Sequence, residues 1–430
     1  RLTTKEPGSV TQGGGYVLLL GKEVANAGEI AARKGQAQLA AGDSFVIRKG
    51  MGTEANAFST TRGNEIAPQF AADSTAGTVR NTGLIVAREG DITLAGRDVR
   101  QDGVALATST VAVRGTVHLL NSAADTRGNV AVGKGAVTAV LIEDDGKASA
   151  LDSQRDALIK ESAAQDAARA LVPPALFDNL SRLSDRRDQS RIEIVSGGDI
   201  RFEGDSLTLA TGGQIAASAT RRSFVADKAR LDVSGAVGVN VTMESNNVKV
   251  NVQGNETRDA PRNRESGKLF NNDVWIDRRK LVRVAPGVGG YEGERWYAAG
   301  GLLEVGGYLG NQGHGIGEWA AQGGTVVLGG AEVVTQAGSN VNLSGGSLNV
   351  QTGFLNQTWL KGSDGRLYSL DKAPSDMAFD GVYKGFEAEH VRWGKKNTDY
   401  FYNPLIAPQR SLENGYTVGR DAGRLVVSAP

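Results

Sequence analysis

Apolar and polar residues alternate along this chain in runs of three to six, and nearly every run is closed by Gly, Asn, Asp or Ser. GDITLAG, RGTVHLL, GNVAVG, GAVTAVLI, GGDIRFEG, SLTLATGG, GGQIAAS, ARLDVSG, NNVKVNVQG, GGTVVLGG and SNVNLSGG all follow the rule. Alternation with period two is the mark of a half-buried strand, and the closing residues are those that tolerate tight turns. The pattern predicts an all-β chain, and it also repeats. NAGEIAARKGQAQLAAGD (residues 26–43) and NTGLIVAREGDITLAGRD (residues 81–98) align without a gap and share nine of eighteen residues. Gly83 and Gly103 are twenty residues apart, as are Gly115 and Gly135, with similar strands after each. RLDVSGA and NVNLSGG echo each other 110 residues apart. A unit of about 20 residues with two or three short strands is one coil of a parallel β-helix, a solenoid in which each coil touches only its neighbours. An antiparallel sandwich would instead show two-residue Asn-Gly hairpin turns, which are scarce here. The spacing favours the solenoid. In it Ile85 and Leu94 point inward, Gly83 and Gly90 sit at corners, and Asn or Ser side chains form ladders from coil to coil.

Two stretches break the pattern. Residues 147–196 contain no glycine. Within them Leu151, Leu158, Ile159, Ala163 and Leu171 share one helical face until Pro173 and Pro174 stop the run. Leu176, Phe177, Leu180 and Leu183 mark a second, shorter helix. Residues 351–416 hold eleven of the chain's 25 aromatics together with Pro374, Pro404 and Pro408, the composition of a long excursion with a small core of its own. The expected organisation is a β-helix over 1–146, a helical hairpin insertion over 147–190, the β-helix again over 191–350, an aromatic-rich excursion over 351–416 packed on the rod, and a return to the β-helix over 417–430.

Composition narrows the function. Glycine supplies 58 of 430 residues, about twice the usual ~7%. Forty-eight basic residues balance 48 acidic ones, so no overall field draws the chain to nucleic acid or an anionic membrane. There is no cysteine, which removes thiol nucleophiles, thiolate metal sites and disulfide staples. YVLLL is far shorter than the ~20 apolar residues of a transmembrane helix. The chain begins at Arg1 and reads as part of something longer.

SRIEIVSGGDIRFEG, ARLDVSGA, GGLLEVGGYLGNQGHGIGEWAAQGGTVVLGG, AGSNVNLSGGSLNVQTGFLNQTWLKGSDGRLYSL and NGYTVGRDAGRLVVSA resemble the large filamentous-haemagglutinin-like exoproteins of two-partner secretion. The resemblance is strongest from about Ser190 onward; the N-terminal third resembles the more generic haemagglutinin repeats. It implies a right-handed parallel β-helix, secreted and extracellular or attached to the Gram-negative outer-membrane surface, and exported through a dedicated outer-membrane transporter. It also implies an adhesin or biofilm-matrix scaffold, with surface or matrix carbohydrate, or a host receptor, as partner. The family's secretion domain carries NPNG and NPNL signatures, whereas the only Asn-Pro here is Asn403-Pro404. The chain therefore reads as an interior or C-terminal-side segment. Export through a narrow pore also fits a chain without disulfides.

Candidate chemistry is sparse. His314 and Glu318 lie four apart beside Trp319, but the glycines of GHGIG argue against the helix that would put both on one face. GVGGYEGERWYAAGG lacks the lysine of a phosphate-binding loop. The acidic turns IEDDGKAS and KGSDGRLYSLD lack EF-hand spacing. A polysaccharide-active β-helix enzyme needs clustered carboxylates, or Asp with Arg and Lys, on one strand face. Here the charges read mostly as turn residues, and His118, His314 and His390 are far apart. The expectation is a protein without catalytic residues, cofactor or metal. Trp359, Trp393, Tyr400 and Tyr402 are the candidate glycan contacts, since each ring offers a flat amphipathic face for stacking on a sugar. The alternative is that they only hold the excursion together. Two other functions stay open: a polysaccharide-active enzyme, and the stalk of a larger toxin-delivery exoprotein.

Overall fold

The computed structural model describes residues 2–3, 15–49, 64–122, 124–150, 190–392, 395–401 and 405–429. The chain divides into two compact units, one of 1–239 with 313–348 and 419–430, the other of 240–312 with 349–418.

The first unit is a parallel β-helix built from three sheets of eight, eight and seven strands. One turn shows how the sequence makes it. Thr78–Asn81 lies in the third sheet, Leu84–Ala87 in the first and Asp91–Ala95 in the second, with Gly83 and Gly90 at the bends between them. The next turn repeats the order with Asp98–Gln101, Val104–Ser109 and Thr116–Leu120. Pairing is parallel and in register throughout, so Ile92 lies between Ala37 and Val117, and Leu94 between Leu39 and Leu119. Because a strand's side chains alternate between its faces, identical register stacks one inward row on the next. Ile85, Ile92, Leu94, Val117, Leu119, Ile192, Ile194 and Phe202 are all fully buried in that continuous core. The inward placement expected for Ile85 and Leu94 holds.

A polar ladder runs beside this core. Asn26 donates to Asn81 (2.8 Å), and Asn81 donates to Gln101 (2.7 Å). Gln101 in turn donates to the carbonyls of Gly103 and Val137. The second sheet is buried on its outer face as well. There Ile66, from the antiparallel hairpin of Ser44–Lys49 and Asn64–Gln69, packs on Ala40, Ala95, Leu120 and Val195.

The second unit is built differently. It pairs antiparallel strands: Asn247–Asn251 with Asp273–Asp277, Val282–Val284 with Arg295–Tyr297, and Gly353–Asn356 with Arg410–Glu413. A three-stranded sheet places Trp359–Gly362 between Leu367–Ser369 and Phe379–Val382. Its separate core gathers Val248, Val250, Val274, Ile276, Leu303, Leu360, Leu370 and Phe379, with Tyr368 edge-on to Phe379 at 5.8 Å.

This departs from the expected boundaries. Residues 191–350 do not continue the β-helix without a break. The stretch 240–312 leaves the parallel sheets and folds together with 349–418. The alternation in NNVKVNVQG predicts a strand correctly but says nothing of its partner, and here the partner is antiparallel. Arg424–Ser428 does return to the second sheet, beside Thr325–Gly329. Apart from Lys147–Ala150 and Ser190, the helical hairpin expected over 147–190 lies outside the described residues.

Candidate functional site

The antiparallel unit contains a cleft of about 330 Å³, within the range typical of small-molecule sites. Alternation accounts for its aromatic floor. In the strand Asp273–Asp277, Val274 and Ile276 are buried in the unit's core, so Trp275 between them faces the other way. In Trp359–Gly362, Leu360 is buried and Trp359 likewise lies on the opposite side. Trp275, Trp359 and Tyr383 line the cleft together and are each half-buried.

Hydrogen bonds hold this floor in place. The Trp359 indole Nε1–H donates to the Pro408 carbonyl (3.0 Å), and the Trp359 carbonyl accepts from the Tyr383 amide (2.7 Å). The Trp275 amide donates to Thr358 Oγ1 (2.8 Å). The polar wall is fixed as well. Asn247 accepts from the Asn356 amide (2.6 Å) and donates to its carbonyl (3.1 Å), while Arg410 Nε donates to Asn356 Oδ1 (3.2 Å). Gln357, Gln409 and Lys384 complete the lining, which includes no carboxylate among the described residues. The surface is flat and aromatic, with amides and two cations at its edge. It suits stacking on a sugar ring, hydrogen bonding to hydroxyls and pairing with an acidic substituent.

Of the four candidate glycan contacts, Trp359 lies in this cleft. Trp393 and Tyr402 lie outside the described residues, as does the side chain of Tyr400, whose backbone pairs with Glu387. Trp275 was missed from sequence because it lies 76 positions before the aromatic-rich stretch of residues 351–416. Its signal is the single Trp on the polar phase of the alternating DVWID.

The other candidates resolve into local structure. A helix does form at Ile316–Ala320 despite the glycines before it, and Glu318 caps its start by accepting from the Gly315 amide (3.1 Å). His314 Nδ1 meets the same carboxylate at 3.0 Å. Trp319 is buried with Val111 and Ile316, and the Arg114 guanidinium stacks on its ring at 4.3 Å. Asp144 accepts from the Gly146 amide and Asp364 from the Arg366 amide, so both acidic stretches are self-closing turns. Among the described residues no three His, Asp or Glu are grouped to hold a metal ion.

One strongly perturbed buried group was read from the sequence only as a scattered histidine. His118 is fully buried on the outer side of the second sheet, with Nδ1 3.2 Å from Asp91 and Nε2 3.5 Å from Glu193. Asp91 also accepts from Thr116, from Thr93 (3.0 Å) and from Gln36 (3.3 Å). Burial alone would lower the imidazole's pKa, but the two carboxylates overcome it and raise it to about 9. Aligning GDITL, GTVHL and SRIEI coil on coil sets Asp91, Thr116 and Arg191 in one row and Thr93, His118 and Glu193 in the next. A side chain with no exposed surface cannot meet a substrate, so this constellation belongs to the scaffold.

A few charges do lie on strands. The third sheet carries Asp98 and Arg100 in Asp98–Gln101 and Arg201 in Ile200–Phe202, with Asp199 and Glu203 flanking. These charges share a strand face; they are not confined to turns. The coils that bring them together are separated by a hundred residues of sequence.

Among the described residues no helix is long and apolar enough to cross a membrane. No known protein family, no characterised protein and no solved structure matches the chain.

Proposed function

We propose that this chain is a segment of a secreted adhesive scaffold, filamentous-haemagglutinin-like in kind, and that it recognises carbohydrate through the antiparallel unit. The observation that carries this reading is the cleft at Trp275, Trp359 and Tyr383, where two indoles and a phenol line one cavity beside Asn356, Lys384 and Arg410. Large aromatic rings left half-exposed and pinned by hydrogen bonds are costly unless something covers them. A lining of amides and cations without a carboxylate supports recognition over hydrolysis, which needs an acid and a base flanking the bond. The parallel β-helix supplies the stiff support, and the resemblance supplies the setting: export through an outer-membrane transporter to the surface of a Gram-negative cell.

The test is a glycan array probed with the intact chain and with Trp359→Ala. We expect at least one saccharide ligand whose binding the substitution weakens tenfold or more, about 1.4 kcal/mol. Lys361→Ala, on the same strand but not in the cleft, leaves binding intact. An array without a ligand, or a ligand indifferent to Trp359, overturns the proposal.

A further inference from the structure

The outer face of the third sheet holds a cup of about 460 Å³ in the β-helix unit. Its origin is a small residue stacked between two long ones. Stacking in register brings Arg80, Arg100, Ala131 and Arg201 into one outward column. The column continues with Ala25 before Arg80 and Phe224 after Arg201, and within it the small Ala131 lies between two arginines. The neighbouring outward positions of that coil are Asn129 and Gly133, whereas the coils on either side carry Asp98 with Asp102 and Asp199 with Glu203. One neutral, small coil thus lies between two charged ones, whose backbones are about 10 Å apart at two strand spacings.

Both ends of the trough are closed. Arg100 Nη2 reaches across to Glu203 (3.5 Å) at one end, and Arg221 Nη2 reaches Asn129 Oδ1 (3.1 Å) at the other. Arg100 is also held by Asp102 (3.0 Å), and Arg221 by Asp199 (3.4 Å). Arg201 differs. Its side chain makes only a long ion pair with Asp199 (3.9 Å) and lies 5.9 Å from the centre of the Phe224 ring, and it is 54% exposed. The cup therefore offers guanidinium donors and carboxylate acceptors in alternation around a floor at Ala131, with the Arg201 guanidinium the most loosely held.

We propose that this cup is a second recognition site, specific for a uronic acid residue of an acidic polysaccharide. A sugar hydroxyl both donates and accepts, so it is satisfied by neighbouring carboxylates and guanidiniums together, which a purely cationic or purely acidic patch does not provide. The sugar carboxylate takes the Arg201 fork in the bidentate geometry that guanidinium favours. Closure at both ends fits a single ring-sized unit and disfavours an extended peptide.

The site is tested by titration calorimetry of the intact chain with oligomers of galacturonate, glucuronate and mannuronate, each paired with its neutral hexose counterpart. We expect at least one uronate oligomer to bind and its neutral counterpart to bind tenfold more weakly or not at all. Ala131→Phe fills the cup and Arg201→Gln removes the loosely held cation, and each weakens binding tenfold or more. Trp359→Ala, in the other unit, leaves this affinity unchanged and so separates the two sites. Arg201 is exposed, so its substitution reads out binding even if Ala131→Phe perturbs the coil. The proposal fails if no uronate oligomer binds, or if both substitutions leave the affinity as it was.

Discussion

Two glycines of the β-helix and two of the antiparallel unit are held to glycine by different causes. At Gly83 a Cβ would sit 2.1 Å from the carbonyl oxygen of Gly28 in the adjacent coil, and at Gly103 it would sit 2.2 Å from that of Gly83. Neither has a positive φ. These residues are glycine because successive coils touch there, backbone on backbone. In the antiparallel unit, Gly267 ends the helix Pro261–Ser266 at φ 63°, and Gly365 turns at φ 79° with open space around it. Those two are glycine because the chain itself bends leftward. At the first pair the neighbouring coil constrains the sequence, and at the second the local turn does. Each cause also occurs in the other unit, since Gly135 has φ 70° in open space and a Cβ at Gly300 would sit 2.0 Å from the Ala373 carbonyl oxygen. Corner glycines were expected from the sequence; at Gly83 and Gly103 the cause is spacing between coils, and at Gly135 it is backbone conformation.

This contrast can be broken by substitution, with hydrogen exchange reading the two units separately. Gly83→Ala forces the backbone of two coils apart and should cost about 3 kcal/mol or more. Protection should fall first in the strands around Leu84–Ala87, and a wild-type exchange pattern would mean the column is not a tight contact. His118 gives the β-helix a pH dependence. Its folded pKa of about 9 exceeds the ordinary 6.5, so its contribution is complete below about pH 6.5 and lost as pH rises through about 9, some 3 kcal/mol in all. Exchange in the second sheet should accelerate over that window, and His118→Gln should flatten the response; an equal slope in the variant would place the titration elsewhere.

Smaller effects sharpen the same comparison. Asn81→Ala cuts the buried ladder between Asn26 and Gln101 and should cost about 2 kcal/mol through the partners it strands. Thermal melting of the β-helix should shift down with no change in the antiparallel unit. Gly365→Ala should cost only about 1 kcal/mol, the ordinary penalty for a side chain in the left-handed region. A cost there matching that at Gly83 would erase the distinction between the two kinds of glycine.

Much of the β-helix could be read from the chain. Its coils repeat, and a repeat fixes register once one pair is aligned, as residues 26–43 and 81–98 show. The antiparallel unit was half legible. Its aromatic stretch stood out, but its first segment hid among strands of identical texture, because alternation reports which face is buried and not which strand lies alongside. The site was legible only at Trp359. Trp275 reaches the same cleft from the other segment, and proximity of that kind leaves no local trace. The Asp91–His118–Glu193 constellation was hidden for another reason. Outward positions in a β-helix normally meet water, and nothing in GDITL or GTVHL announces that this face is covered.

The in-register stacking has a consequence for how such a chain accepts new parts. Arg230–Asp232 pairs residue for residue with Asn340–Asn342, although 110 residues separate them, whereas Thr78–Asn81 reaches Asp98–Gln101 after only twenty. Closing a loop grows only logarithmically more costly with its length, about 0.6 kcal/mol per doubling, so lengthening a coil fivefold costs about 1.4 kcal/mol of chain entropy. Each corner of the solenoid is thus a docking port where a whole folded module can be grafted for little more than the loss of one good hydrogen bond. A lineage built on this scaffold can diversify by insertion while the parallel sheets keep their register.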